Sequence, residues 1–375
     1  MFILAPPASL AFRTRHALHR KVATVRWRAC TTPAINSRPR SETRNRDVAK
    51  RKVALLVAYD GAKYHGLQRN AGVDTVSDVL ETALHGAGAI SDDNLGFLPK
   101  IKWQVAARTD RGVSAAGNVV SAKLLFNKDE QESGAAFELT TARVNAELPD
   151  HVRLFGIKYT TSSFSAKASC GERWYEYMLP LSALRGHKSL AQFRDTLNLF
   201  EGSHRFHNYT VGQDHTIPPR QQAMRYITKA TCDMEPVHLD SPLLTDHAQS
   251  HWVRIYVRGQ SFMLHQIRKM VSAAVLIHNS DAPEDTVQKS FEQNVLINVP
   301  PAPAVGLFLD CCHFRWYNER HKERLPEPLS LHSFESAREK FKHEHIFPSI
   351  ARRAAEDDAL EAYFRTAEKH PIQFS

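Results

Sequence analysis

The sequence predicts an α+β fold made of two tandem ferredoxin-like lobes with mixed sheets around a central cleft, followed by a helical C-terminal extension. Two observations support this prediction. The order strand, helix, strand, strand, helix, strand occurs between residues 53 and 159 and again between residues 173 and 313. After the proline-rich stretches at residues 300–303 and 325–328, the chain shows amphipathic helical patterns instead. A cleft between two lobes is where a substrate is expected.

The composition favours a globular protein with an anionic partner. Of the 375 residues, 42% are hydrophobic and 24% are charged, and the formal net charge is +9. A positive surface favours nucleic acid first and an acidic membrane surface second, while no window approaches the ~20 apolar residues of a membrane span. The chain has no Walker loop or dinucleotide-binding glycine pattern, and its five cysteines lack zinc-ligand spacing. We therefore expect no cofactor, no metal and no membrane partner.

Residues 1–50 differ in composition from the rest of the chain. Eight arginine and lysine residues precede Glu42, the first acidic residue, and they alternate with serine, threonine and scattered apolar residues. This arginine-rich and acid-poor composition predicts a mitochondrial transit peptide. The alternative is a basic arm that holds RNA or acts as a nuclear address.

The first lobe is expected over residues 51–165. A continuous apolar run at residues 53–59 has the length of a buried strand, and residues 76–84 carry apolar positions at helical spacing before Gly86. Two further strands are predicted at residues 101–108 and 118–126. A helix at residues 137–148, which Pro149 would end, and an alternating strand at residues 152–159 complete the lobe.

The second lobe is expected over residues 166–320 and the extension over residues 321–375. Strands are predicted at residues 173–179, 226–234, 252–258 and 307–313, and helices at residues 189–200 and 262–278. Residues 203–220, rich in His, Asn, Gln and Pro, show no pattern and are predicted to be a loop or an insertion. Helical patterns at residues 334–350 and 358–368 predict an appendage that packs on the second lobe.

The stretch Val105-Ala-Ala-Arg108-Thr109-Asp110-Arg111-Gly112-Val113 places one carboxylate on a short loop between two predicted strands. Asp110 should therefore be presented rather than buried. A tight turn explains the same residues, because Asp bonds its own backbone and Gly follows it. From this stretch alone, both interpretations remain open.

Arg108-Thr-Asp110-x-Gly-Val followed by Gly117-x-Val-Val resembles the signature of the TruA family of tRNA pseudouridine synthases. Ala107 stands where bacterial members usually carry Gly, and Ser114-Ala-Ala-Gly-Asn is closer to the eukaryotic branch. The resemblance covers residues 50–320 and, more loosely, the C-terminal extension. It implies the two-lobed fold around an RNA-binding cleft and the isomerisation of specific uridines, most often in tRNA, without a cofactor.

The resemblance also implies roles for particular residues. Asp110 would be the catalytic carboxylate, and Arg268, in Ser261-Phe-Met-Leu-His265-Gln-Ile-Arg268-Lys269-Met, its cationic partner. Tyr175 would stack on the uracil, Arg108 would help to flip the target base, and Leu307 would line the uracil pocket. Without the resemblance, Arg268 would be taken as an exposed helix residue and Leu307 as core, while Tyr177 keeps a packing role.

Several other residues have side chains suited to phosphate or unstacked-base contacts on predicted loops and rims. They are Tyr64, His65, Gln68, Arg69, Arg111, Lys167, Arg173, His204, His207 and Asn208. The expected partner is tRNA, with rRNA or mRNA as alternatives, and the expected state is a monomer. A second hypothesis is an RNA-binding assembly factor that keeps the synthase fold, acts on mitochondrial rRNA and uses catalysis only secondarily.

Overall fold

The computed structural model describes residues 47–367 except 186, 211–222, 240–250, 281, 284 and 358. Most of the predicted basic arm therefore lies outside the described residues. The strands are β1 (Val48–Tyr59), β2 (Gln104–Val105), β3 (Ser114–Asn127), β4 (Val152–Tyr159), β5 (Glu172–Pro180), β6 (Gly202–Arg205), β7 (Met224–Cys232), β8 (Val237–His238), β9 (His251–Gly259) and β10 (Leu307–His313).

The helices follow the predicted order through both halves of the chain and continue into the extension. They are α1 (Val76–Gly86), α2 (Lys128–Glu132), α3 (Ala136–Glu147), α4 (Ala166–Ser169), α5 (Leu190–Asn198), α6 (Gln266–His278), α7 (Thr286–Lys289), α8 (Arg315–His321), α9 (Glu335–Phe341), α10 (Phe347–Asp357) and α11 (Ala359–Ala367). Within the described ranges, no helix is long and apolar enough to cross a bilayer.

The strands form one mixed sheet with the order β4-β1-β3-β10-β5-β9-β7-β6, and β2 and β8 pair with β3 and β9. In the first half the strands have the order β4-β1-β3-β2, and in the second half the corresponding strands have the order β10-β5-β9-β7. The same strand order in both halves confirms the predicted repeat of two ferredoxin-like lobes. The lobes join where β10 runs parallel to β3, with Phe308 opposite Ser114 and Leu309 opposite Ala115. This junction brings the loop before β3 beside the start of β10.

The predicted strand at residues 101–108 is wrong for most of its length. Residues Leu98–Ile101 form a 3-10 turn with Pro99 in its first turn, and Lys102 follows in the left-handed region at φ 52°. Only Gln104 and Val105 pair with β3. The chain then leaves the sheet because the side chain of Asn118, not a neighbouring strand, satisfies the backbone of Ala107.

Helix α6 begins four residues later than predicted. His265 has φ 60° and ψ 8°, so the helical backbone cannot extend through it. The side-chain oxygen of Gln266 accepts a hydrogen bond from the backbone N–H of Met263 at 2.9 Å, which fixes this turn. Residues 261–265 consequently form a non-helical segment that lines the central cavity.

Part of the predicted loop at residues 203–220 is ordered structure. Gly202–Arg205 forms β6, which pairs with β7 at the end of the sheet, and residues His207–Tyr209 form a buried 3-10 turn. A four-residue edge strand is too short to show an alternating pattern. The remainder, residues 211–222, lies outside the described residues.

The C-terminal extension, which was predicted to pack on the second lobe, contacts both halves of the sheet. Phe341 lies edge-on to Phe155 of β4, and the Arg353 guanidinium donates to the carbonyl of Gly112 at 2.9 Å. Lys342 begins a π-helical segment, Lys342–Ile346, that joins α9 to α10. Its ammonium group lies 3.1 Å from the Glu176 carboxylate of β5.

Candidate active site

Asp110 lies on the loop of residues 106–113 and lines a cavity of about 350 Å³. Its side chain is 35% exposed, in agreement with the expectation that the loop presents it. The first half of the sheet contributes residues 105–110 and Val113 to the cavity wall. The second half contributes Tyr175 of β5, residues 261–268 and Leu307 of β10. The parallel junction of β3 and β10 therefore brings together residues that are far apart in the sequence.

Contacts made by its neighbours hold the loop that carries Asp110. The hydroxyls of Tyr59 and Thr109 lie 2.9 Å apart in the core, and the amide of Asn118 donates to the carbonyl of Ala107 at 2.9 Å. Gly66 approaches the loop so closely that a Cβ there would lie 2.5 Å from the Thr109 carbonyl oxygen. Its φ of +90° also favours glycine. The backbone of the loop is thus fixed at Ala107 and Thr109, just before its carboxylate.

Among the described residues, the basic side chain nearest to Asp110 is that of His265, whose Nε2 lies 3.6 Å from Oδ2. Burial lowers the pKa of His265, Arg268 adds to this effect, and Asp110 opposes it. The imidazole is consequently neutral around pH 7. Sequence reasoning missed this residue because a continuous helix was predicted through it. His265 lies three residues before Arg268, so both would share one face of the predicted helix. This spacing could have indicated that His265 lies in the same site as Arg268.

Arg268 lines the same cavity, but the structure does not show the predicted direct pair with Asp110. Its Nε donates to the carbonyl of Ala302 at 2.5 Å. Burial lowers the pKa of Arg268, while Tyr177 and Asp110 oppose the shift. A guanidinium remains charged under these conditions, so Arg268 acts on the Asp110 carboxylate through space across the cavity.

The apolar part of the cavity is provided by Tyr175, Phe262 and Leu307. Tyr175 is buried and lies edge-on to Phe262 with ring centroids 5.3 Å apart. Burial raises the pKa of Tyr175 far above its ordinary value, so its phenol stays protonated and can act only as a neutral group before a substrate enters. Tyr177 lies two residues further along β5, is fully buried and donates to the carbonyl of Pro303 at 3.0 Å, in agreement with its predicted packing role.

Four of the predicted RNA-contacting or base-flipping residues are exposed. Arg108 and Lys167 line the cavity, whereas Gln68 and Arg111 lie outside its wall. Exposed cations around an active cavity suit contacts with phosphate groups, which position a nucleic acid without reading its sequence. This placement keeps all four available for the predicted role.

Arg173 and Arg69 instead bind parts of the protein itself. The Arg173 guanidinium donates to the carbonyl of Ala106 at 2.8 Å and also to the carbonyls of Cys170 and Gln260. Arg69 pairs with Asp78 at 2.5 Å and with Glu81. The structure therefore favours a structural role for both arginines, and Arg173 joins β5 to the start of the Asp110 loop.

Tyr64, His207 and Asn208, which were predicted to contact RNA, are buried and make contacts within the protein instead. Tyr64 stacks on His151 and shares a 2.9 Å hydrogen bond with its Nε2. The Asn208 amide donates to the carbonyls of Ser290 and Val295, and Nε2 of His207 lies 2.9 Å from the latter. Among the other candidates, Nε2 of His204 lies 2.7 Å from the carbonyl of Glu201, and His65 is half-buried. The sequence cannot show whether a polar side chain faces solvent or the protein backbone.

The wall of the cavity combines one carboxylate, the buried guanidinium of Arg268, a neutral phenol and apolar side chains, and its exposed cations are Arg108 and Lys167. A flat base removed from its stack needs an aromatic surface, and a carboxylate beside a sugar can stabilise positive charge at the anomeric carbon. These properties define an enzyme that modifies a base of a nucleic acid.

Comparison with known proteins agrees with this class. Residues 197–315 match the family model described as tRNA pseudouridine synthase. The chain is 35% identical to the mouse protein named pseudouridylate synthase 1 homolog over 87% of this chain and 75% of that one, and 35% identical to the human protein of that name over 85% and 73%. It is 30% identical to tRNA pseudouridine synthase 1 of Kluyveromyces lactis over 84% and 69%. The chain belongs to the TruA-type family of tRNA pseudouridine synthases, and it is an isomerase.

Proposed function

We propose that this protein converts specific uridines of tRNA to pseudouridine, with Asp110 as its catalytic carboxylate. The observation that carries the proposal is the convergence of Asp110, Tyr175 and Arg268, from three separate segments, on one cavity. The names of the relatives, which include tRNA pseudouridine synthase 1, support the choice of substrate.

The reaction breaks the bond between C1′ of the ribose and N1 of the uracil, rotates the base and joins C5 to C1′. Positive charge develops at C1′ when the bond to N1 breaks, and the Asp110 carboxylate stabilises it from inside the cavity. C5 then loses its proton, while the freed N1 carries one. Atoms balance without an external donor, which agrees with the expectation that no cofactor takes part.

The other cavity residues hold the base and place a positive charge in the cavity. The Tyr175 ring supplies the π surface that the uracil loses when it leaves the stack, and Leu307 closes the pocket. Arg268 contributes a positive charge to the cavity that Asp110 lines. Exposed Arg108, two residues before the carboxylate, is placed to occupy the space of the flipped base while it contacts phosphate.

Replacing Asp110 by Ala tests the assignment. The variant should bind an unmodified tRNA transcript about as tightly as the wild type but should form no pseudouridine, because the carboxylate is needed for bond cleavage and not for phosphate contacts. Asp93→Ala removes an exposed carboxylate outside the cavity and should leave turnover unchanged. A normal rate for Asp110→Ala would overturn the assignment.

We also propose that the protein is mitochondrial and that its target is tRNA rather than rRNA or mRNA. The composition of residues 1–50 supports the location, and the resemblance supports the target. Pseudouridine should be mapped in mitochondrial and cytosolic RNA of cells without the protein, complemented by wild type or by Asp110→Ala. Sites restored only by the wild type would name the target and the compartment. Rescue of growth by Asp110→Ala, with no site restored, would instead favour the RNA-binding assembly factor.

The resemblance to the eukaryotic branch also supports a monomer. Light scattering of the purified full chain should give a mass near 42.4 kDa. Twice that mass would contradict this part of the proposal.

A further inference from the structure

A second cavity, of about 380 Å³, lies between helix α8 and the segment that leads into β5. Helix α8 contributes Trp316, Tyr317, Arg320 and His321 to its wall, and residues 168–171 form the opposite side. None of these residues lines the active cavity. The volume lies in the range of pockets that hold a small organic group.

Trp316 gives this cavity an unusual surface. Its side chain is 72% exposed, the highest value among the large hydrophobic residues that the structure describes as exposed. Arg320 is also exposed and lies four residues further along the helix, so both side chains share one helix face. A second cation, the Arg315 guanidinium, lies 5.9 Å from the centre of the Trp316 ring. An exposed indole beside guanidinium groups combines a π surface for a base with donors for a phosphate.

The second cavity is a direct neighbour of the active cavity along the chain. Lys167 lines the active cavity, and the next residue, Ala168, lines the second one. Lys167 is exposed, so a cation lies between the two sites. The short helix α4 therefore contributes to the walls of both cavities.

We propose that this second cavity binds an unpaired nucleotide of the RNA substrate, with its base stacked on Trp316 and its phosphate beside Arg320. The inference rests on the proposed function, because the RNA is the one whose target uridine occupies the active cavity. Residues 315–324 contain four arginine or lysine residues and two glutamates, which favours a phosphate-bearing ligand. The site would hold the RNA in register and takes no part in bond cleavage.

The test compares the full chain with its Trp316→Ala and Trp316→Phe variants on an unmodified tRNA transcript. Stacking on an aromatic residue predicts that Trp316→Ala weakens RNA binding by roughly five- to a hundredfold, while Trp316→Phe retains most of the affinity. The single-turnover rate at saturating enzyme should match the wild type in both. Phe97→Ala removes another exposed aromatic residue, outside both cavities, and should leave binding unchanged.

Arg320 gives an independent measurement. Arg320→Ala should lower the slope of log Kd against log salt concentration by about one, as expected for the loss of one phosphate contact, and Arg320→Lys should restore it. Since Trp316 and Arg320 are exposed, circular dichroism of each variant should match that of the wild type.

The outcomes separate this inference from the proposed function. If Trp316→Ala binds the transcript like the wild type while Asp110→Ala remains inactive, the second site is wrong and the function stands. If Trp316→Phe binds as weakly as Trp316→Ala, the proposal that a base stacks on the aromatic ring at position 316 is wrong. If Trp316→Ala loses a protein partner but no RNA affinity, the cavity is a protein-docking site and the inference fails. If the wild type forms no pseudouridine, the proposed function fails whatever the binding data show.

Discussion

Asn118 positions Asp110 although it does not touch it. It is fully buried, and its amide group both accepts from the N–H and donates to the carbonyl of Ala107, at 3.3 and 2.9 Å. Ala107 lies three residues before the carboxylate. A displacement of about 1 Å at a reacting group can lower the rate about a hundredfold, so a residue that holds the loop affects turnover strongly.

We expect Asn118→Ala to lower kcat by roughly tenfold or more, with little change in KM, and to lower the free energy of unfolding by about 1–3 kcal/mol. Asn145→Ala is a matched control, because the Asn145 amide makes the same pair of hydrogen bonds to the backbone of Leu154, outside the cavity. Steady-state kinetics and urea unfolding would be measured for both variants. An equal fall of kcat in the two would show that general destabilisation, not loop position, is responsible.

At the scale of single residues, the sequence could indicate chemistry but not the partner of each side chain. Asp110, Tyr175, Arg268 and Leu307 meet in one cavity, as the resemblance implied. In contrast, Arg173 was predicted to contact RNA because arginine commonly binds phosphate, but its guanidinium donates to backbone carbonyls. Which acceptor a guanidinium finds depends on segments that are distant in the sequence, and a motif does not specify them.

Helix α9 and the π-helical segment after it are held to the central strands by a buried group of charges. Lys342 lies 2.5 Å from the Asp310 carboxylate of β10, which also pairs with Arg338, and 3.1 Å from Glu176 of β5. Burial opposes the charge of Lys342, but Glu176 and Asp310 raise its pKa above the ordinary value. Because Glu176 directly follows Tyr175, the extension contacts the strand that carries the active-site phenol.

We expect Lys342→Met to lower the free energy of unfolding by about 1.5–3 kcal/mol, because Asp310 and Glu176 lose the buried cation that they share and each keeps only one arginine, Arg338 and Arg254 respectively. Lys340→Met removes an exposed lysine two residues earlier, in α9, and should change stability by less than about 1 kcal/mol. Urea unfolding followed by circular dichroism would measure both. A similar stability of the two variants would mean that the buried charges contribute little to holding the extension.

The elements that sequence patterns predicted well are those with a strong period or a long apolar run. Residues 53–59 of β1 are fully buried, which explains why that strand reads as a continuous apolar run, and β4 and β10 have the predicted bounds. The errors fall where other interactions replace the regular backbone pattern. Asn118 satisfies the backbone after β2, and His265 takes a left-handed conformation before α6. Neither feature changes the spacing of apolar residues in the sequence, so the hydrophobic pattern could not predict it.

For the whole molecule, histidines link stability to pH. Burial lowers the pKa of four of them, His151, His265, His278 and His313, although nearby charges modify each shift. They lie in both halves of the chain, so their effect belongs to the fold and not to the cavity alone. In the unfolded chain each should titrate near the ordinary value of about 6.5.

We expect the free energy of unfolding to change little near pH 7 and to fall as the pH drops below about 6.5. In that window the unfolded chain binds protons that the folded protein excludes, so acid favours unfolding. Each histidine contributes at most one proton, or about 1.4 kcal/mol per pH unit, until the pH reaches its lowered folded pKa. Urea unfolding between about pH 5.5 and 8 would measure this slope.

His278→Leu removes one of these groups from α6, where the imidazole is buried and lies edge-on to Phe193 with centroids 5.5 Å apart. The variant should show a shallower loss of stability with acid, because its unfolded state has one proton fewer to bind. His332→Leu changes an exposed histidine and should leave the slope as it is in the wild type. If His278→Leu loses stability with acid as steeply as the wild type, other groups control the pH dependence. Since His265 also belongs to the cavity, RNA bound beside it should reduce the slope further only if the imidazole takes up a proton in the complex.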